Sequence, residues 1–278
     1  MPAEQIASNL ALINWTVLAA LGVGSFVVVV VTRLLTAVTK GFLVFTAFCA
    51  AGFGFLAYLS DGALPVMASG PVSADPAWDT ARRVALVVFT VLALVEMIVI
   101  ARGGRGRNPG VAGLAAGFGA LLLGALTWGA GPGGIAMLLL QLAVLALATG
   151  GVFAAMILGH WYLVTPKLPE APLVMVARAL MGVVALQVVL FLFWVGIGIG
   201  PGSTGGPFGA LFGSWALFVW LRLLVGLVFP LVVSWAAVLT ARTRSMESAT
   251  GLLYINVGTI SAGTILAAGL YFGAGLLV

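Results

Sequence analysis

Eight apolar runs, each near the length needed to cross a lipid bilayer, fill almost the whole of this 278-residue chain. A hydrocarbon core about 30 Å thick requires roughly 20 residues of helix at about 1.5 Å rise per residue. The runs predict helices near residues 10–31, 41–59, 84–101, 111–130, 135–159, 172–199, 211–239 and 250–278. A membrane β-barrel would alternate polarity over segments of about ten residues. Neither the run Val27 to Val31 nor LVVFTVLALVEMIVI from Leu86 alternates, so the spans read as helices. Only 7% of residues are charged, against roughly 25% in a soluble domain. The expected fold is an all-α integral membrane protein, a bundle of eight transmembrane helices arranged as four hairpins in one polytopic domain over 1–278. The first run follows MPAEQIASN, which holds Glu4 and no base, so it lacks the positive region of a secretory signal and is expected to stay as the first membrane helix.

The basic residues divide unequally between the two sets of turns. Arg33, Lys40, Arg102, Arg105, Arg107, Lys167, Arg242 and Arg244 fall on one side, and only Arg82 and Arg83 on the other, after Asp61, Asp75 and Asp79. The positive-inside rule then predicts both termini on the extracytoplasmic side and four basic turns in the cytoplasm, as in a bacterial inner membrane protein. The net charge of +5 comes from these turns and points to anionic lipid, not nucleic acid, as the partner. The last two basic turns, TPKLPEAP from Thr165 and ARTRSMESA from Ala241, each place a base three residues before an acid, a faint sign of an internal repeat.

Packing signals are plainer. The 38 glycines include pairs four apart, Gly113 with Gly117, Gly209 with Gly213 and Gly269 with Gly273, which suit close helix approach where lipid supplies no hydrophobic drive. Pro230 should kink the seventh span or free a carbonyl that a neighbour must satisfy. Trp15, Trp128, Trp161, Trp215 and Trp220 lie near span ends, where their amphipathic rings are expected to anchor at the headgroups. A single cysteine, Cys49, forms no internal disulfide and reads as a small buried apolar residue.

Ionisable residues inside spans are costly and mark candidate sites. Counting helical rise puts Glu96 and Arg178 each roughly 9 Å from the basic end, with His160 at that end and Asn256 about two turns in. These four, with Trp161 and Tyr162, form the candidate ligand-binding layer. Glu96 and Arg178 read either as an ion pair between spans or as groups that orient a polar head group. His160 reads as a hydrogen-bonded helix end or as a proton carrier near neutral pH. Arg222, about 30 Å from Arg242, is expected to snorkel outward at the opposite surface.

Absences narrow the chemistry. One histidine excludes bis-histidine haem within the chain, and one cysteine an all-cysteine iron–sulfur site. No HExxH, CxxC or Walker A sequence occurs, and GxGxG at Gly196 to Gly200 runs into Pro201 as a helix end before GPGSTGGPFG. No self-contained catalytic set is visible. The leading expectation is a membrane subunit of a larger bioenergetic or redox assembly, binding no cofactor alone and contacting a quinone in the cytoplasmic leaflet beside other membrane subunits. The alternatives are a secondary transporter or channel for a small or hydrophobic solute, and a cofactor-free scaffold. A transporter would need polar or broken helices at the midplane, where the sequence offers little beyond Gln187.

Overall fold

Eight helical spans are present among the described residues, as the apolar runs require, and each is long and apolar enough to cross a membrane. The structure is a computed structural model that describes residues 1–65, 71–104, 106–165, 167–200 and 206–278. Arg105 and the turn residues 201–205, which include Pro201, lie outside the described set. A short helix α1 (Pro2–Ser8) precedes the spans α2 (Leu10–Leu35), α3 (Lys40–Asp61), α4 (Asp79–Ala101), α5 (Asn108–Trp128), α6 (Gly131–Val164) and α7 (Ala171–Ile197). The seventh span is composite: α8 (Ala216–Leu223), one π-helical turn (Leu224–Val228) and α9 (Phe229–Arg242). The last is α10 (Met246–Ala274). No strand occurs among the described residues, and the protein is a multi-pass integral membrane protein.

Local chemistry sets the helix ends. Pro109, Pro132 and Pro172 stand in first turns, where a missing N–H costs nothing. Thr39 Oγ1 accepts from the Phe42 N–H at the start of α3. Gly198 and Gly275 end α7 and α10 in the left-handed region that favours glycine. Gly275 stops α10 at Ala274, four residues short of the predicted end, and the residues after it fold back and are buried.

The spans form two rings of four. In the first half α2, α3, α4 and α5 pack in sequence and α5 closes onto α2; in the second α6, α7, the α8–α9 span and α10 do the same. The rings join where α2 packs along α6, with α5 also touching α6 and α10 touching α2, so the two halves have matching neighbour relations. Glycine makes the seam. A Cβ on Gly24 would collide with the Ala146 carbonyl, and one on Gly150 with the Gly24 backbone. Ser25 Oγ donates to the Gly150 carbonyl across it at 3.3 Å. Of the predicted pairs, Gly113 with Gly117 admits Phe26 and Phe89, and Gly269 with Gly273 admits Ile6 and Trp215. Gly209 and Gly213 do not serve a span: Gly209 opens a 3-10 turn (Gly209–Leu211) and Gly213 follows it before α8, which starts at Ala216 and not near 211.

The π-helical turn has a direct cause. Pro230 has no N–H, so the carbonyl four residues earlier, on Gly226, loses its helical donor. Arg222 Nη1 supplies one at 3.2 Å. The Pro230 carbonyl accepts from Asn256 Nδ2 at 3.4 Å.

Candidate functional site

Four charged side chains are buried among the described residues: Asp61, Arg82, Glu96 and Arg222. Three of them meet an opposite charge. Glu96 on α4 faces the bundle interior, 1% exposed, and its Oε1 takes the Arg33 guanidinium of α2. Arg33 also donates to the Gly104 carbonyl at 2.8 Å, so the pair ties α2, α4 and the turn between α4 and α5. The expected partner was Arg178. That residue instead lies exposed on α7, in the other half, while Arg33 reaches Glu96 from the adjacent helix.

Arg82 sits in the first turn of α4, not in a loop, and is 2% exposed. Its Nε and Nη2 grip Asp61 at 2.7 and 3.3 Å, and Nη1 donates to Asp79 at 2.9 Å and to Thr127 Oγ1 at 2.8 Å. The guanidinium carbon stands 4.7 Å from the Trp128 ring centroid and 5.9 Å from that of Trp15. Trp15 and Trp128 are therefore not headgroup anchors: both are buried, because a cation over an aromatic face gives these rings an interior partner. Trp220 is exposed, in keeping with an anchoring role, and Trp161 packs on Gly41 and beside Phe45.

Arg222 overturns its expectation. It does not snorkel outward but is 2% exposed, pointing between α7 and α10. Close approach of the π-helical turn to α10 makes the room: a Cβ on Gly226 would lie 2.6 Å from the Gly263 Cα, and one on Gly263 2.8 Å from Arg222 Nη1. Arg222 Nη2 donates to Gln187 Oε1 at 3.3 Å, and Gln187 Nε2 donates to the Val144 carbonyl of α6 at 2.8 Å. Among the described residues Arg222 Nε is buried with no partner, and no carboxylate forms an ion pair with this side chain. Gln187 is ten residues from the end of α7 and Gly263 eleven from the end of α10, so the group lies about 15 Å inside the bundle, near the middle of the spans. Thr149 and Thr264 share a 2.6 Å hydrogen bond between α6 and α10 in the same half.

The predicted ligand layer does not assemble into one site. Asn256 is fully buried and joins α10 to α9 through Ser234 Oγ at 2.8 Å. Tyr162 is buried and donates to the Pro169 carbonyl at 2.6 Å. His160 and Arg178 are exposed and form no hydrogen bond or ion pair among the described residues. An apolar cleft of about 330 Å³ opens between α2, α6 and α7, lined by Val28, Thr32, Gly151, Met175 and Leu180 among others, and His160 does not border it. A polar recess at the basic end brings Tyr162, Arg244 and Glu247 together. Among the described residues no group of three His, Cys, Asp or Glu side chains is placed to hold a metal.

Sequence reasoning missed Arg33 as a partner and Arg222 as an interior group. A signal for the second was present: Arg82 and Arg222 each stand twenty residues before an arginine at the basic end, Arg102 and Arg242. Each belongs to the third span of its half, and each reaches the second and fourth spans, Asp61 and Thr127 for Arg82, Gln187 and Gly263 for Arg222. Compared with family models, curated proteins and solved structures, the chain matches none.

Proposed function

We propose that this protein is a membrane carrier or channel for a small polar solute, with the solute site in its second half beside Arg222 and Gln187. One observation carries the reading: an arginine without an acid partner is buried near the middle of the spans, at a π-helical break in the helix that bears it. Carriers commonly place broken helices at the bilayer midplane, where freed backbone groups and polar side chains meet the solute. Keeping a guanidinium there costs about 2.5–3.5 kcal/mol on insertion scales, and a single-turn π-bulge is a device frequent at functional sites. The first half, locked by Arg33–Glu96 and by the Arg82 cluster, serves as the fixed scaffold against which the second half works.

A second reading keeps the protein as a membrane subunit of a redox assembly that holds a quinone. The apolar cleft between α2, α6 and α7 favours it, since an isoprenoid tail fits such a surface. One preparation decides between them. Purified in mild detergent and reconstituted, the protein should take up members of a panel of labelled small polar solutes faster than protein-free vesicles do. Uptake equal to protein-free vesicles across the panel, with quinone extracted from the same preparation and other chains co-purifying, would reverse the choice.

A further inference from the structure

Resting on the reading of the second half as a solute site, we propose that Arg222 anchors an anion-binding site and that the anion is a small monocarboxylate with an apolar remainder. The chain's own acids are accounted for. Asp61 and Asp79 serve Arg82, Glu96 serves Arg33, Glu170 meets Arg244 at 3.4 Å, and Glu4 meets the terminal ammonium. Asp75 caps a turn by accepting from the Ala77 N–H, and Glu247 is exposed in the first turn of α10. No Asp or Glu side chain is left for Arg222.

The partners Arg222 does have are weak for a buried cation. Two hydrogen bonds to neutral acceptors, at 3.2 and 3.3 Å, leave Nε unsatisfied. A guanidinium matches a carboxylate through two parallel N–H donors, and Arg82, its counterpart in the first half, grips Asp61 in that way through Nε and Nη2. On Arg222 the Nε–H of that same fork is unused. A carboxylate from solution completes in the second half what Asp61 completes in the first.

The surroundings restrict the rest of the ligand. Gln187 commits one amide N–H to Val144 and its oxygen to Arg222, so a single N–H is left to meet a second polar group. Within one turn of Gln187, Val144, Arg222 and Gly263 along their own helices stand Phe191, Leu145, Val219 and Ala267, members of one apolar cluster. A dianion such as phosphate would keep one charge without a partner, and a ligand with several hydroxyls would bury them unpaired. A short aliphatic or aromatic monocarboxylate suits both constraints.

Sodium butyrate is the probe, titrated into the whole protein in detergent at constant ionic strength made up with sodium chloride, with thermal unfolding as the readout. Wild type should show a saturable rise in Tm. Arg222→Gln should bind butyrate about 30-fold or more weakly, the effect of removing one partner of a buried charge pair, yet be at least as stable as wild type when no butyrate is present. Should Arg222→Gln fail to fold, Arg222→Lys, which keeps the charge but loses the two-donor fork, should show the same loss of response. No saturable rise in wild type, or an equal rise in Arg222→Gln or in a folded Arg222→Lys, overturns the proposal. The two readings fail separately: a butyrate response without solute uptake removes the carrier and keeps the anion site, whereas uptake without an Arg222-dependent response does the reverse.

Discussion

A buried charge in a bilayer is held by whatever lies in reach, and reach depends on azimuth around a helix as much as on depth. Glu96 could be read as facing inward because a lipid-facing carboxylate costs several kcal/mol. Its partner could not be read so. Arg33 and Arg178 both lie near the basic end of the bundle, and residue spacing gives their depth but not the face of a distant helix. Removing one member of a buried pair strands the other, so Glu96→Ala should lower unfolding stability by about 3 kcal/mol, the low end for such a pair because Arg33 is 14% exposed. The double variant Arg33→Leu with Glu96→Leu should recover most of that loss, since apolar replacement of a buried pair is often neutral. Arg178→Ala, on an exposed face, should stay within about 0.5 kcal/mol of wild type. Thermal unfolding in detergent ranks all three, and a larger loss for Arg178→Ala than for Glu96→Ala would contradict the pairing.

At the scale of elements, length and hydropathy locate spans well because the bilayer imposes one thickness on all of them, and the eight observed helices sit close to their predicted ranges. The same measures are blind to backbone donors. The π-helical turn follows from one missing N–H at Pro230 and from the glycines that let Gly226 meet Gly263, features that leave hydropathy unchanged. The expected freed carbonyl, on Gly226, is present, but the group that satisfies it, Arg222, belongs to the same span and not to a neighbour. Glycine spacing was equally ambiguous. Gly24 and Gly150, which form the seam between halves, have no glycine four residues away to announce them. Gly24→Ala should therefore cost about 1–3 kcal/mol through overpacking against α6, whereas Gly182→Ala, with open space where the Cβ would sit, should be neutral or stabilise by up to about 1 kcal/mol. Thermal unfolding of the pair checks this, and equal effects would show that the seam yields.

For the whole molecule, the repeat that matters is not the one hinted at by the two basic turns. Those turns bond to one another, Arg244 to Glu170 and to the Leu168 carbonyl, whereas the larger correspondence is in the neighbour relations of the four-helix halves and in the matching placement of Arg82 and Arg222. The halves differ in what they bury: ion pairs in the first, and in the second an arginine with no acid partner among the described residues, a π-helical break and a glycine crossing. A solute site must connect to water at some stage of its cycle even though Gln187 is 4% exposed in this state. The most direct measurement uses Cys49→Ser as a cysteine-free background, adds Gln187→Cys, and follows reaction with a small membrane-impermeant thiosulfonate in sealed vesicles of each orientation. Labelling at position 187 from the aqueous phase is the predicted result; a folded protein that stays unlabelled from both sides would contradict a solute path through the second half.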